Sequence, residues 1–283
     1  MRKWIGIIGI TFLFSTVVSA QRSDGDCDDY DDDGPVQVGW AVVTPLAVTT
    51  SGASSGLVVF ATFGKKHGDE MLQASVLPAS LTTNAMMFVS ADGKLSRNVG
   101  VGIINPNGAA ANSTMTLRDQ NGHVLGTPKN FTLSARSQTA QFITSLFSDR
   151  PEIPKDFDGT LKVTSDLPVS IIGLRFRGEN FSSIPVTNLA TTNAVPEVRA
   201  GIGGSGSIIV PEVAAGGGWA SELILVNTGT DLLTVRVDFF KQDGTDLSIR
   251  LNGQSKNSFT NLVIPAGGVF ELAPRSKDGH DRF

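Results

Sequence analysis

The sequence of 283 residues contains a single cysteine, a single tyrosine and no long apolar run beyond its first twenty residues. One thiol excludes an internal disulfide, so buried apolar area must stabilise the fold. The lack of a later apolar run predicts no membrane-spanning helix in the rest of the chain. Charged residues make up 18% of the sequence and the formal net charge is -4, without a cluster of Lys and Arg. This charge pattern excludes the basic surface of a nucleic-acid-binding protein.

Residues 1–20 have the layout of a secretory signal peptide. A basic start is followed by an apolar stretch from Trp4 to Val18 and by small residues that end at Ala20. The stretch is shorter than the ~20 residues that cross a bilayer, which favours cleavage after Ala20 over a membrane anchor. We therefore expect a protein that is secreted or held at the cell surface. Cys27 follows the cleavage site and is expected to be free or to form an intermolecular disulfide.

The next segment, residues 21–36, is predicted to be an acidic linker. Asp29, Asp31, Asp33 and the glycine after them match the opening of a calcium-binding loop, in which alternate carboxylates converge on one hard cation. The twelfth position of that loop is Trp40 instead of a bidentate glutamate. We therefore expect a solvated linker and no cofactor, with a calcium site at the three aspartates as the alternative.

The body of the chain consists of short segments rich in β-branched residues, with Gly, Pro, Asn or Asp between them. In TVRVDFF, Val235, Val237 and Phe239 fall on one face and polar residues on the other, which is the period of a half-buried strand. NVGVGIIN, TMTLRD, TLKVTSD and VSIIGLRF are predicted to be further strands. Only SQTAQFITSLFSD, residues 137–149, has a helical spacing of apolar residues. The pattern predicts an all-β, antiparallel sandwich fold.

Two stretches of the sequence align without a gap, residues 98–122 and residues 220–244. Asn105 falls over Asn227, and the Asn-Gly pair that ends at Gly122 falls over an Asp-Gly pair. Both dipeptides favour the positive φ angles of a tight hairpin turn. The alignment predicts that one supersecondary unit occurs twice, as two tandem antiparallel β-sandwich units of the immunoglobulin-like kind.

The predicted organisation has six segments. They are the signal peptide (1–20), the acidic linker (21–36), a first β-sandwich domain (37–190), a Gly/Ser-rich linker (191–206), a β-rich second domain (207–274) and a tail (275–283). The second domain is small for an independent sandwich. We therefore expect it to pack on the first domain or to be completed by a strand of another chain.

Several of these segments resemble a known repeat module. Asn105-Pro106-Asn107, the turn at Gly122, DFDGTLKVTSDLPVSIIGLRF and AAGGGWASELILVNTG are similar to a β-rich module of secreted and cell-surface proteins of environmental bacteria. The resemblance covers roughly residues 55–273. It implies a β architecture and an exported location, and it carries no catalytic residue over to this chain.

Motifs of enzymes fail on their structural context. GASSG around Ser54 and GIGGSG at residues 201–206 match a nucleophile elbow and a dinucleotide loop by letter, but predicted strands follow where those sites need helices. His67, His123 and His280 lack the spacing of metal ligands. No spacing selects a pair of carboxylates for glycoside hydrolysis among the glutamates of the body (Glu70, Glu152, Glu179, Glu197, Glu212, Glu222). We therefore expect that the protein is not an enzyme.

These observations predict a non-catalytic extracellular protein for structural support, adhesion or surface assembly. Its expected partners are proteins or further copies of itself, with no nucleic acid and no membrane span after cleavage. One alternative is a carbohydrate-binding module that stacks Trp219 on a sugar ring. Another is a fibre subunit that assembles by strand addition. Gly216–Gly218, directly before Trp219, is interpreted as a turn that leads into a strand, because no helix is predicted after it.

Overall fold

The structure, a computed structural model, describes residues 39–43, 59–67, 70–190, 208, 210, 213, 215 and 221–274. The predicted signal peptide, both predicted linkers, the triple glycine with Trp219, and the tail lie outside these residues. In the described part the regular structure is almost entirely strand, and every strand pair is antiparallel, which confirms the all-β expectation.

The first strands form a hairpin of their own, β1 (Ala61–His67) with β2 (Glu70–Val76). Eight strands then form one continuous hydrogen-bonded sheet. They are β3 (Thr82–Ala91), β4 (Arg97–Asn105), β5 (Ala111–Asp119), β6 (Lys129–Leu133), β7 (Ser137–Phe142), β8 (Phe157–Arg177), β9 (Asn180–Ile184) and β10 (Val186–Asn188).

Strand β8 is the organising element of this sheet. The sequence predicts two strands, TLKVTSD and VSIIGLRF, whereas the structure joins them into one strand of 21 residues. The first half of β8 pairs with β3 and β5, and the second half pairs with β4 and β9. Pro168 lies exposed between the two halves, where its missing N–H costs no ladder hydrogen bond. Strand β8 therefore carries the chain from one part of the sheet to the other.

The core of the eight-stranded sheet follows the period of its strands. On β4, Val99, Val101 and Ile103 are at most 1% exposed, and the residues between them face outward. Met115 and Leu117 on β5 fill the same core, together with apolar residues of β3 and β8. Alternation in the sequence thus places the inward-facing residues correctly.

The predicted helix over residues 137–149 is wrong for most of its length. Residues 137–142 are β7, which pairs with β4 from Asn105↔Ser137 to Gly100↔Phe142. Only the turn α1 (Ile143–Leu146) is helical, and it buries Ile143 and Leu146 in the core. The free edge of β4 supplies a full ladder of backbone hydrogen bonds to β7, and this pairing outweighs the helical spacing of the apolar side chains.

The carboxyl-terminal strands form three two-stranded sheets with a second hydrophobic cluster. They are β11 (Leu223–Val226) with β16 (Val269–Leu272), β12 (Leu233–Asp238) with β15 (Ser258–Ile264), and β13 (Ile249–Leu251) with β14 (Gln254–Lys256). Leu251 and Leu272 are nearly inaccessible, and Phe239 meets Phe259 edge to face with ring centroids 6.0 Å apart. This cluster gives the carboxyl-terminal strands a small core of their own.

The pairing registers of the two parts correspond. On β4 and β7, Val101 faces Gln141 and Ile103 faces Thr139. On β11 and β16, Leu223 faces Leu272 and Leu225 faces Phe270. Each β11 residue lies 122 positions after its β4 counterpart, and each β16 residue lies 131 positions after its β7 counterpart.

The hairpins that follow correspond in the same way. Ala111 pairs with Leu133 across β5 and β6, and Leu233 pairs with Ile264 across β12 and β15. The hydrogen bond from the Leu125 amide to the Leu117 carbonyl, at 2.8 Å, has its counterpart between Leu247 and Phe239, at 3.0 Å. Residues 100–122 and 222–244 thus adopt the same succession of strand, loop, strand and tight turn.

Candidate functional site

The sequence-predicted ligand residues are outside the described structure. Trp219 and the three aspartates Asp29, Asp31 and Asp33 all fall among the residues that the structure does not describe. Within the described ranges, no group of three or more His, Cys, Asp or Glu side chains is arranged to hold a metal ion. The glycan and calcium hypotheses therefore remain predictions.

His123 is part of a hairpin turn. Its Nδ1 lies 3.3 Å from Asp119 Oδ2, and its side chain is 79% exposed. The other carboxylate oxygen of Asp119 accepts hydrogen bonds from the amides of Asn121 and His123. The Asp119 carboxylate therefore closes the turn after β5 and is committed to that structural role.

A surface cavity of about 360 Å³ lies beside the start of β4. Its acidic side chains are already engaged, since Asp92 accepts hydrogen bonds from the amides of Lys94 and Leu95, and Asp156 accepts one from the amide of Gly93. The Thr144 hydroxyl in its wall accepts a hydrogen bond from the Asn98 amide group at 2.8 Å. The cavity thus lacks a hydroxyl that is paired with a base, which acyl transfer would require.

A buried ion cluster links the carboxyl-terminal strands to the eight-stranded sheet. Glu222, directly before β11, has a side chain that is only 2% exposed. Its Oε2 accepts a hydrogen bond from Arg175 Nη1 on β8 at 2.6 Å, and its Oε1 lies 3.9 Å from Arg97 Nη2 at the start of β4. A buried carboxylate such as that of Glu222 is tolerated inside a protein only when it is paired with a positive charge. The ion cluster therefore attaches the start of β11 to β4 and β8.

A second contact joins the same two parts of the chain through their turns. The Thr160 hydroxyl on β8 donates a hydrogen bond to the Gly267 carbonyl at 2.8 Å, and this bond is buried. The amide of Val269 donates to the carbonyl of Gln120 at 3.0 Å. The hairpin turn after β5 therefore lies against the turn between β15 and β16.

The pairing of β11 and β12 differs from that of β4 and β5 on one side. In the eight-stranded sheet, β4 has β7 on one edge and β8 on the other, and β5 has β6 on one edge and β8 on the other. Among the residues that the structure describes, β11 pairs only with β16 and β12 pairs only with β15. On β11 and β12, the edges that correspond to those paired with β8 in the eight-stranded sheet have no paired strand in the described part of the chain. We call these two edges together the open edge.

Exposure of the side chains along the open edge agrees with this difference. Val101, Ile103, Ala111, Ser113 and Met115 are between 0% and 4% exposed in the eight-stranded sheet. Among their five counterparts, Leu233 is 45% exposed and the others are half-buried. We call these five residues the open face (Leu223, Leu225, Leu233, Val235, Val237). Leu223, Leu225, Val235 and Val237 pack against the second hydrophobic cluster, as Val213 does, so these residues are partly covered where their counterparts are fully buried.

Two further exposed apolar side chains lie on or beside these strands. Leu232, which precedes β12, is 61% exposed. Val263 on β15 is 47% exposed and pairs with Thr234, so it lies on the outer face of the β12–β15 sheet, opposite the open face. Apolar residues grouped at a strand edge that has no partner are typical of a surface that binds another protein segment. The open edge with its open face is therefore the candidate functional site.

Sequence reasoning does not locate this site. The small size of the second predicted domain predicts that it packs on the first domain or is completed by a strand of another chain, but it does not identify the edge concerned. The ion cluster gives no sequence signal, because Glu222 lies 47 positions after Arg175 and 125 positions after Arg97.

Comparisons with known proteins add little to this description. No protein-family profile and no curated protein matches the sequence. Among solved structures, the chain is similar to the Anabaena sensory rhodopsin transducer, at 20% identity over 36% of this chain and 91% of that one, with a TM-score of 0.30. It is also similar to Thermotoga maritima 1070, at 14% identity over 38% of this chain and 90% of that one, with a TM-score of 0.28. At these scores neither likeness carries a functional argument.

Proposed function

We propose that the protein is a non-catalytic extracellular component of the cell surface that acts through contacts with other proteins. The observation that carries this proposal is the open edge, where β11 and β12 have a paired strand on one side only among the described residues, beside a half-buried apolar face. Exposed strand edges of this kind favour addition of a further strand.

The architecture that we propose is two tandem immunoglobulin-like β-sandwich units, within residues 37–190 and 207–274. The shared registers of β4 with β7 and of β11 with β16, together with the corresponding hairpins, support a duplicated unit. The buried ion cluster at Glu222 and the contact between Thr160 and Gly267 support packing of the second unit on the first.

The proposed location is outside the cell or on its surface. Support comes from the layout of residues 1–20 in the sequence. In the described part of the chain, no helix has the length and apolar character to cross a membrane. Sequencing the amino terminus of the protein from the extracellular or surface fraction should show Gln21 as the first residue. A cytoplasmic protein that keeps residues 1–20 would contradict the proposed location.

A deletion strain tests the structural role. Cells that lack the protein should lose cohesion or components of their surface layer, and the wild-type gene should restore them. A variant with Val237→Glu in the open face should fail to restore them. Thr260→Glu on the exposed outer side of β15 is the matched control and should restore them fully. Unchanged surface layers in the deletion strain would overturn the proposal, as would substrate turnover by the purified protein that a point mutation abolishes.

A fibre subunit that assembles by strand addition is the second candidate function. The open edge favours it, because a strand from an identical chain could pair there and leave a further edge for the next copy. Light scattering of the purified protein across a range of concentrations distinguishes the two. Particle mass that grows without limit with concentration indicates a fibre subunit, and a constant mass indicates a module that binds other proteins.

A further inference from the structure

We propose that Asn121 is a site of covalent modification, at which the side chain loses its amide group as ammonia and the residue becomes aspartate or isoaspartate. This inference is independent of the proposed function, because it concerns the turn after β5 and needs water alone as co-reactant. A glycine after an asparagine leaves the backbone nitrogen accessible, because glycine has no Cβ atom. The sequence contains three such pairs, Asn107-Gly108, Asn121-Gly122 and Asn252-Gly253.

The reaction takes place within the Asn-Gly pair itself. The Gly122 amide nitrogen forms a bond to Asn121 Cγ, the bond between Cγ and Nδ2 breaks, and Nδ2 leaves as ammonia with the amide proton of Gly122. The resulting cyclic imide then takes up one water molecule. Attack of water on the side-chain carbonyl carbon restores the normal backbone with an aspartate. Attack on the backbone carbonyl carbon leaves the chain running through Cβ and Cγ, as isoaspartate.

Two of the three asparagines are held in place by side-chain hydrogen bonds. Asn107 Nδ2 donates to Asn105 Oδ1 at 2.7 Å and to the Pro168 carbonyl at 2.9 Å. Asn252 Nδ2 donates to the Glu271 carbonyl at 2.7 Å, and its Oδ1 accepts a hydrogen bond from a backbone amide at 3.0 Å. Each of these side chains must break two hydrogen bonds before its Cγ can turn toward the next amide nitrogen, which slows the reaction there.

The exposed side chain of Asn121 makes no hydrogen bond to another described residue. The matching turn of the second part shows the reason. There, Asp243 Oδ1 accepts hydrogen bonds from the Thr245 amide at 2.9 Å and the Thr245 hydroxyl at 2.6 Å. In the first turn, Asp119 Oδ1 accepts the corresponding hydrogen bond from the His123 amide at 2.9 Å. Asp119 thus takes over the acceptor role, and the orientation of the Asn121 side chain is not fixed.

The backbone of the turn slows the reaction at Asn121 without preventing it. The Gly122 amide donates to the Asp119 carbonyl at 3.0 Å, and this hydrogen bond must open before the nitrogen can attack Cγ. The folded protein should therefore react more slowly than the unfolded chain. One backbone hydrogen bond opens at Asn121, whereas two side-chain hydrogen bonds open at each of the other asparagines. In the folded protein, Asn121 should consequently react first.

Isoaspartate at this position opens the contact between the turn after β5 and the turn between β15 and β16. Gly122 is buried there, and a Cβ atom on it would overlap the Ala266 carbonyl oxygen. Beside it, the Val269 amide donates to the Gln120 carbonyl at 3.0 Å. Isoaspartate lengthens the backbone by a carbon atom between these two contacts, so both cannot persist. Aspartate does not lengthen the backbone, and the matching turn already has an aspartate at this position, Asp243.

Peptide mapping by mass spectrometry measures the reaction. The purified protein is incubated in heavy-oxygen water at mildly alkaline pH, and the labelled carboxyl groups are located at each Asn-Gly pair. In the folded protein, Asn121 should gain label at least about threefold faster than Asn107 or Asn252. In guanidinium chloride the three rates should approach one another, because the hydrogen bonds that distinguish the pairs are lost. Asn121→Gln, whose longer side chain cannot form the same ring, is the matched control and should gain no label at this turn.

Unfolding of the modified protein tests the effect on the contact. Chromatography separates chains with isoaspartate from unmodified chains, and these should unfold at a lower urea concentration, whereas the Asn121→Asp variant should unfold with the unmodified protein. Labelling of Asn107 or Asn252 as fast as that of Asn121 in the folded protein would overturn the inference, as would labelling of Asn121 only in guanidinium chloride. Unchanged stability of the chains with isoaspartate would overturn it as well. None of these results bears on the proposed function.

Discussion

Asn105 and Asn227, which lie 122 positions apart, share three side-chain hydrogen bonds at corresponding positions in the two parts of the chain. Both side chains are fully buried. Each Oδ1 accepts a hydrogen bond from the amide two residues later, and each Nδ2 donates to the carbonyl four residues later. Each Nδ2 also donates across the sheet, to Leu133 in the first part and to Ile264 in the second. One asparagine therefore holds the loop after each first strand against the neighbouring hairpin.

Replacing either asparagine by alanine should destabilise the protein by about 2–4 kcal/mol, because buried backbone groups lose their partners. Asn105→Ala should cost at least as much as Asn227→Ala, since Asn105 Nδ2 also donates to the Ser134 carbonyl at 2.9 Å. Urea denaturation measures both. Asn180→Ala, on an exposed position of β9, is the control and should change stability by less than about 0.5 kcal/mol. Equal stability of the Asn105→Ala variant and this control would contradict the assigned role.

Gly122 and Gly244 form a matched pair for testing the contact between the two turns. Both have a φ of 81°, which costs a residue with a Cβ atom about 1–2 kcal/mol. A Cβ on Gly122 would overlap the Ala266 carbonyl oxygen, whereas a Cβ on Gly244 would meet no atom within 4 Å. Gly122→Ala should therefore destabilise the protein by about 1–3 kcal/mol more than Gly244→Ala, as measured by thermal or urea unfolding. Equal costs would indicate that the turns do not touch in solution.

Much of the strand pattern is predictable from the sequence, and the reason is visible in particular residues. Val101 and Ile103 alternate with small or outward-facing residues, and this alternation identifies β4 and its buried face. The Asn-Gly pair that ends at Gly122 identifies the turn after β5 through its need for a positive φ angle. Both signals are local, so they can be read without knowledge of the partner strands.

The predictions that fail depend on partners far away in the sequence. Asp166 and Pro168 look like a turn, yet Asp166 is engaged by Asn112 and the strand continues past both residues. Residues 137–142 have a helical spacing, yet the edge of β4 draws them into the sheet. The open edge is likewise undetectable from β11 and β12 alone, because it is defined by comparison with β8, the strand that pairs with both β4 and β5 and has no counterpart in the described part of the chain.

The ion cluster provides a test of how the carboxyl-terminal strands are attached. Glu222→Gln leaves the guanidinium of Arg175 without its charged partner and should destabilise the protein by about 2–4 kcal/mol. This cost is lower than that of breaking a fully buried ion pair, because the Arg175 side chain is 17% exposed. Combining it with Arg175→Gln should cost less than the sum of the two single changes. A double-mutant cycle by urea unfolding gives the coupling energy, which should exceed about 1 kcal/mol. Additive costs would show that the 2.6 Å contact contributes no net stability.

Stability in acid should depend on the contact between Asn112 and Asp166. The side-chain hydrogen bond from Asn112 Nδ2, and then the one from its backbone amide, hold the pKa of Asp166 below its usual range. In the unfolded chain this carboxyl has an ordinary pKa of about 3.9. The folded state therefore binds its proton more weakly than the unfolded state does, so the contribution of the ionised group is complete above that value. It is lost as the pH falls through the lowered folded pKa.

Asn112→Ala should accordingly raise the pKa of Asp166 toward its ordinary value. Carbon NMR of the carboxyl group follows this change directly, and a readout of stability alone would not separate it from general damage to the fold. The pKa of Asp243, which is lowered chiefly by a hydrogen bond from the Thr245 hydroxyl, is the internal control and should stay where it is. If both carboxyls shift together, the variant has loosened the structure as a whole. If Asp166 alone shifts, the hydrogen bonds from Asn112 are what hold its pKa low, at the point where β8 passes from β5 to β4.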